Sequence, residues 1–415
     1  MEPIDIDDLL EEGKLTPRKS SPGPPDGLPY EVLYHVLRFP PYQGLISEVY
    51  NTALQRGIFP SSRNESVMCL LILNRRIMEV SSGLISRHQL EFLPGRFIAE
   101  NGMICQLIME DAQRNWAMAE QRGNDPQLRT LDADIGLLLD QEKAYNRVNL
   151  VYMKRVLLKF GFPGKFVTCI SKLMGDNLIH ININGPLSSA VAKLRGLKQG
   201  DPLSPILYNL AFEPFLLLII HDRHFSGYVM GQERTKILCY TDDALVFVHN
   251  ASDLGRLQVH MDRYCAASNT KFNHSKLQAF SVSGHNTWKL WEAVLTSMNI
   301  MHLHSVKDED PLIYLGFPLI QSRLQRVNFV EVLITKLKVA VQLHSTRSLS
   351  VVGRATVLNS LILSRIWYVL RVTPLTLADF QQLRSTAIQF LRKNIFLVIP
   401  WRVWTLPRAQ GGLGV

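Results

Sequence analysis

The sequence predicts an α+β fold, and three observations predict it. A continuous apolar run over 135–139 (IGLLL) stops at Asp140. The segment 236–248 (KILCYTDDALVFV) is apolar on both sides of Asp242 and Asp243. Helical periodicity dominates the two ends of the chain and strand-like runs occupy its middle, which suits a mixed core flanked by helical subdomains rather than alternating strand–helix layers. Neither G-x-G-x-x-G after a strand nor G-x-x-x-x-G-K-[ST] occurs, so dinucleotide-binding and P-loop architectures lack their residues.

Residues 13–29 are rich in Pro, Gly and Ser and read as a loop. Leu33, Val36 and Leu37 share a helical face over 30–39, and Pro40-Pro41 closes that helix. Leu45, Val49 and Ala53 mark a second helix. Two amphipathic helices follow over 74–90 and 98–119, separated by a Pro-Gly-Arg turn at 94–96. The 135–139 run is short and apolar throughout, which suits a strand buried on both faces. Residues 148–175 read as helix broken at Gly161–Gly164. Residues 179–184 (IHININ) alternate as a strand before a Gly-Pro turn. Residues 203–220 form a helix that is apolar all round, and Pro205, Asn209, Glu213 and Pro214 within it argue against a membrane span. Residues 236–248 make a strand, a tight turn and a strand. Helix follows over 252–270 and a short β segment over 311–319. Val330, Ile334, Leu337 and Val341 mark a further helix, and 354–370 is a long apolar one.

The 415 residues have the apolar and charged content of an ordinary globular protein, 47% and 20%. Disorder, coiled coil and a secreted disulfide framework are thereby excluded. Five scattered cysteines include no C-x-x-C pair, so no structural zinc site is signalled and reduced thiols are expected. The acidic start (MEPIDIDDLLEE) is unlike a signal peptide, and the expected location is nucleus or cytoplasm, without secretion or membrane. The net charge of +9 is unevenly spread: residues 321–415 carry 13 Lys and Arg against 2 Asp and Glu, while the remainder is nearly neutral. A basic terminal region of this kind suits contact with a polyanion, although a solvated basic face has the same composition.

Asp242 and Asp243 sit at the tip of an otherwise apolar hairpin. Two carboxylates close together in a partly desolvated setting repel by a few kcal/mol at an effective dielectric of about 20, and one of them takes up a proton unless a cation intervenes. Hard oxygen ligands favour Mg²⁺, which also binds phosphate oxygens. Asp140, at the end of a separate strand, would complete a cluster suited to two-metal phosphoryl transfer. An acidic turn at a hairpin tip is common without any such role, so the flanking segments have to decide.

Those segments are LLLDQEKAY (137–145), RGLKQGDPLSPILYNL (195–210), CYTDDALVFV (239–248), KFNHSK (271–276) and YLGFP (314–318). In that order they resemble the reverse transcriptases of non-LTR (LINE-type) retrotransposons. SPGPPDGLPYE (21–31), FLPGRFIAENG (92–102) and the LSVVGRATVLNSLILSRIWYVLRV tail add to the resemblance, which covers nearly the whole chain.

The resemblance implies a right-hand polymerase fold of fingers, palm and thumb, with a small antiparallel palm sheet backed by helices and a helical thumb. It assigns 1–60 to an N-terminal extension leading into the fingers, 61–130 to shortened fingers, 131–320 to the palm and 321–415 to the basic thumb. It implies an RNA-directed DNA polymerase that adds dNTPs to a DNA primer on an RNA template, using two Mg²⁺ ions or Mn²⁺. Asp140 and Asp242 match the main metal-binding acids, Asp243 matches the second acid of the Y-x-D-D box, and the Gln141 carbonyl would complete one metal shell. Tyr145 matches the aromatic under the nucleotide sugar, which leaves no room for a 2′-hydroxyl. Gln199 and Gly200, with Asp201 and Pro202, match the loop lining the nucleotide and template pocket. Lys276 matches a lysine that would protonate the leaving pyrophosphate. Tyr314, Leu315 and Gly316 match the primer grip.

Four departures stand out. Asn146 replaces a second Asp, Thr241 replaces Ala in the Y-x-D-D box and is expected to suit a strand, and Asn269-Thr270 replaces a glycine-containing turn. After NESVMCLLI (64–72) the chain passes directly to LNRRIMEV, so a fingers hairpin that would grip the triphosphate is missing between Ile72 and Leu73. Arg75, Arg76 and Arg96 are the candidate substitutes. No endonuclease or RNase H-like region is read in the chain. The competing expectations are an impaired relic that only binds nucleic acid and an interaction protein that has borrowed the scaffold.

Overall fold

The computed structural model describes residues 4–15, 30–56, 67–121, 133–175, 178–181, 184–185, 187–393 and 399–414. The chain divides into two compact units, Met1–Phe97 with Leu138–Leu277, and Ile98–Leu137 with Gln278–Val415.

The first unit is built on the helix Ser204–Ile220, buried on nearly every side as its all-round apolarity requires. Tyr208, Phe212 and Phe215 follow one another along it, and Phe212 also meets the Tyr264 ring edge-on at 5.7 Å. Tyr264 belongs to the helix Ala251–Ser268, whose N-terminus is capped by Asn250. The strands Ile237–Tyr240 and Asp243–Val248 pair antiparallel, with Ile237 opposite Val246 and Tyr240 opposite Asp243. The strand Ile135–Leu139 passes from the second unit into the first, where it neighbours Asp243–Val248.

Within the second unit the start of that strand neighbours Gln278–Ser281, which pairs in parallel with Leu303–His304. A Cβ on Gly136 would lie 2.3 Å from the Phe280 ring, so this position requires glycine by close approach. The same unit holds the basic C-terminal helices. Leu333, Ile334 and Leu337 of Arg323–Ser345 pack with Leu358, Ile362 and Ile366, and with Leu383, Phe390 and Leu391 of Leu377–Arg392.

Several elements differ from the sequence reading. The helix expected over 74–90 is Val67–Leu84, and it runs without a break through Ile72–Leu73. The helix does not continue to 90 because the backbone of His88–Leu90 is taken up by the hairpin: the Cys239 N–H donates to His88 O and the Leu90 N–H to Cys239 O. The strand expected over 179–184 is reduced to Leu178–Ile179, paired with Val191–Ala192, and residues 182–183 lie outside the described set, as do residues 16–29 of the expected loop. The apolar helix expected over 354–370 contains a π-helical stretch, Leu358–Leu363, between Val351–Val357 and Ser364–Leu370. Among the described residues no helix is long and apolar enough to cross a membrane.

Phe212 is fully buried within the ring cluster, so Phe212→Ala should lose about 3–5 kcal/mol of unfolding free energy. Urea unfolding of the variant checks this. A loss below ~1 kcal/mol would show that the cluster does not support the first unit.

Candidate active site

Thr241 and Asp242 are the two turn residues between Tyr240 and Asp243. Thr241 has φ 55°, in the left-handed region that glycine normally supplies at the first position of such a turn. It is therefore a strained β-branched residue at a tip rather than a strand residue, at a cost of order 1–3 kcal/mol that its surroundings must offset. The offset comes from Gln89, which is fully buried. The Thr241 N–H donates to Gln89 Oε1 at 3.0 Å, and Gln89 Nε2 donates to Thr241 O at 3.1 Å.

Asp242 emerges from this tip, half-buried. Burial, and then the charge of Asp140, holds its carboxyl above the usual range. Asp243 is exposed as a residue, yet crowding around its carboxyl, through local desolvation and then the charges of Asp242 and Asp140, pushes it up to about 6. The three acids thus act on one another across the strand end and the hairpin tip. Asp140 is fixed from its other side, where its carbonyl accepts from the Asn273 N–H at 2.8 Å and the Glu142 N–H donates to Lys271 O. That pattern makes Gln141 and Phe272 a non-hydrogen-bonded pair, so the Gln141 carbonyl points away from the Lys271–Asn273 segment. Lys276 follows that segment, and its Nζ stands 3.7 Å from Asp140 Oδ1.

Tyr145 lies on the short helix Ala144–Arg147, which Lys143 opens at φ 51°. Its ring stacks on Tyr208 with centroids 4.7 Å apart and planes 9° apart. The loop bearing Gln199 and Gly200 docks here through backbone bonds from Leu197 N–H to Tyr145 O and from Gly196 N–H to Val148 O. Gly196 has φ +86°, and a Cβ there would lie 2.7 Å from Asn146 O. Gly196 thus packs directly against the Asn146 backbone, while the loop's hydrogen bonds go to Tyr145 and Val148. Gln199 and Gly200 are exposed, and Gly200 also takes φ +86° with open space around it.

Tyr314, Leu315 and Gly316 lie in the second unit, at the turn of the hairpin Leu312–Tyr314 and Phe317–Leu319. Leu315 and Gly316 both have positive φ. The Tyr368 hydroxyl donates to Leu315 O at 2.8 Å and passes so close to Gly316 that no Cβ fits there.

The three arginines proposed to replace a fingers hairpin are otherwise engaged. Arg75 pairs with Asp8 and Glu11, and Arg76 with Asp8. Arg96 donates to the carbonyls of Ser82, Ile85, Ser86 and Gln89, closing the C-terminal end of the Val67–Leu84 helix.

Sequence reasoning missed Glu91. It is 9% exposed and its Oε2 is buried with no hydrogen-bond partner among the described residues. Desolvation first, then Asp242 and Asp243, push its carboxyl up to about 8. It also acts on the Tyr145 hydroxyl, which burial raises above its ordinary value. The sequence carries no signal for it: Glu91 is buried while Phe92 beside it is exposed at φ 51°, the inverse of their usual preferences, which only the fold discloses.

Among the described residues no three His, Cys, Asp or Glu side chains are gathered into a ready-made metal cage. The donors are nevertheless hard carboxylate oxygens, partly open to solvent and mutually repelling, which suits Mg²⁺ sharing its shell with substrate phosphates and water.

The family described as reverse transcriptase (RNA-dependent DNA polymerase) matches residues 71–319. The chain belongs to that family. It is 26% identical over its whole length to a transposon TX1 149 kDa protein of Xenopus laevis, spanning 32% of that protein. It is 23% identical over 78% of its length to the Pol polyprotein of retrotransposable element R2DM of Drosophila melanogaster, spanning 29% of it. The chain therefore covers about a third of the length of these relatives. Among solved structures, apo telomerase from Candida tropicalis aligns at a TM-score of 0.42 and 11% identity, over 87% of this chain and 55% of that one. Reverse transcriptases as a family use divalent metals.

The raised Glu91 carboxyl has a consequence for stability. The folded state holds its proton up to about pH 8, whereas an unfolded glutamate releases it near the ordinary 4.5. Folding therefore binds a proton in this window, and stability falls as pH rises from about 4.5 towards 8. In chelator, Glu91→Gln should match the wild-type thermal midpoint at pH 4.5 after allowing for their acid-form difference, and exceed it progressively towards pH 8. Parallel midpoint–pH curves for the two proteins would contradict this.

Proposed function

We propose that this chain is the polymerase region of a non-LTR retrotransposon protein and acts as an RNA-directed DNA polymerase, joining dNTPs to the 3′-hydroxyl of a DNA primer on an RNA template. The observation that carries this reading is the convergence of Asp140, Asp242 and Asp243 in one electrostatic field within a reverse transcriptase family match. Asp140 and Asp242, with Asp243 and the Gln141 carbonyl, would hold two Mg²⁺ ions, or Mn²⁺. Bound there, the cations would acidify the primer hydroxyl and neutralise the triphosphate during in-line attack.

The remaining roles fall to side chains. Tyr145, held flat by the Tyr208 ring, would form the floor under the sugar and exclude a 2′-hydroxyl. Gln199 and Gly200 offer an exposed polar edge to nucleotide and template. Lys276, beside Asp140, would give a proton to the departing pyrophosphate. Tyr314, Leu315 and Gly316 would support the primer, and the basic 321–415 region would follow the duplex backbone as the thumb, with the palm over 131–320 and shortened fingers over 61–130.

A specific observation favours a second reading. Arg75, Arg76 and Arg96 are held by acids and carbonyls, and a triphosphate would have to compete for them. A chain lacking the fingers hairpin between Ile72 and Leu73 would then bind nucleic acid without extending it. Primer extension on poly(rA)/oligo(dT) with Mg²⁺ or Mn²⁺ separates the two. The polymerase reading expects incorporation that Asp242→Ala lowers by at least ~100-fold, as for loss of a metal ligand's partner or more. Salt-sensitive retention of the duplex without incorporation would establish the second reading, and incorporation that persists in Asp242→Ala would reject the assigned site.

A further inference from the structure

We propose that Gln89 is a positioning residue for the catalytic hairpin: its side-chain amide holds the Thr241 tip in the left-handed conformation and so sets the direction in which Asp242 presents its carboxylate to metal. This rests on the polymerase reading for its consequence, but the clamp stands on geometry alone.

The amide engages both backbone groups of Thr241, accepting from the N–H at 3.0 Å and donating to the carbonyl at 3.1 Å. Such a two-point contact imitates a neighbouring strand and fixes orientation as well as position. Cys239 adds to it. Gln89 Nε2 also lies 3.4 Å from Cys239 Sγ, and the thiol donates to the same Thr241 carbonyl at 3.2 Å. The amide cannot drift, because its own backbone is anchored. Residue 89 forms a parallel bridge with Cys239, and its carbonyl accepts from Arg96 Nη1 at 2.6 Å.

The need for a clamp follows from Thr241. A glycine would adopt φ 55° without help, whereas a β-branched residue prefers to leave it. Any rotation of the Thr241 peptide swings the next residue, Asp242. Gln89 itself would touch neither substrate nor metal. It acts through the tip, as hydrogen-bonding partners of ligands generally do.

The test uses the full chain and two readouts. Gln89→Met keeps the side-chain length and removes both hydrogen bonds. Hydrogen exchange should show the Thr241 amide protected in the wild type and fast in Gln89→Met. Mn²⁺ titration calorimetry should show affinity weakened by roughly ten- to a hundredfold. Adding Thr241→Gly, which removes the conformational penalty, should restore most of that affinity in the Gln89→Met background. A purely packing role for Gln89 predicts no such rescue. Unchanged Mn²⁺ affinity in Gln89→Met, or equal loss with and without Thr241→Gly, overturns the proposal. If Asp242→Asn leaves Mn²⁺ binding at its wild-type value, the metal-site reading is what fails, and exchange at Thr241 alone decides whether the clamp exists.

Discussion

The constraint on which the first unit turns is like-charge crowding. Folding brings the end of the Ile135–Leu139 strand beside a hairpin tip, and with it Asp140, Asp242 and Asp243 into one partly desolvated field. Glu91 adds a fourth carboxyl from the segment alongside the hairpin. Such an arrangement is unfavourable by itself, since burial and mutual repulsion hold Asp242, Asp243 and Glu91 above their ordinary protonation range. A stable fold tolerates it because the surrounding core is large and apolar, and a cation bound there would relieve it.

The neighbouring structure is arranged to keep that crowding in place. The Ser204–Ile220 helix supplies Tyr208 beneath Tyr145 and Asn209, whose Nδ2 donates to Glu91 O at 2.7 Å. Its Glu213 accepts the Ser86 N–H at 2.9 Å. One buried helix thus ties Tyr145, the Glu91 segment and the chain entering the hairpin to a common support. The Lys271–Asn273 segment holds Asp140 from the opposite side.

How far the residues alone disclosed this depends on the kind of interaction. The central strands, the hairpin and its acids were readable because a short apolar run that stops at a carboxylate suits a buried strand reaching a polar edge and little else. Tyr145, Gln199 and Lys276 were singled out for a related reason: local strings resembling the family carry them. Gln89 and Glu91 were not readable, because their roles arise from a parallel bridge to Cys239, far along the chain, that no local period encodes. The 74–90 helix failed on the same contact, since pairing with the hairpin overrode periodicity after Leu84. Thr241 was misplaced as a strand residue because its side-chain preference is overruled by the two-residue turn. The engagement of Arg75 and Arg76 with Asp8 likewise depends on a helix, Ile6–Leu15, whose docking the sequence does not announce.

The most direct measurement is the thermal midpoint of the chain against Mg²⁺ concentration at constant ionic strength. If the crowded acids form the cation site, the midpoint rises with Mg²⁺, with ~2.7 kcal/mol of stabilisation at a hundredfold excess over Kd, and the rise disappears in Asp140→Asn combined with Asp242→Asn. A midpoint indifferent to Mg²⁺, or one that rises equally in the double variant, would contradict the account.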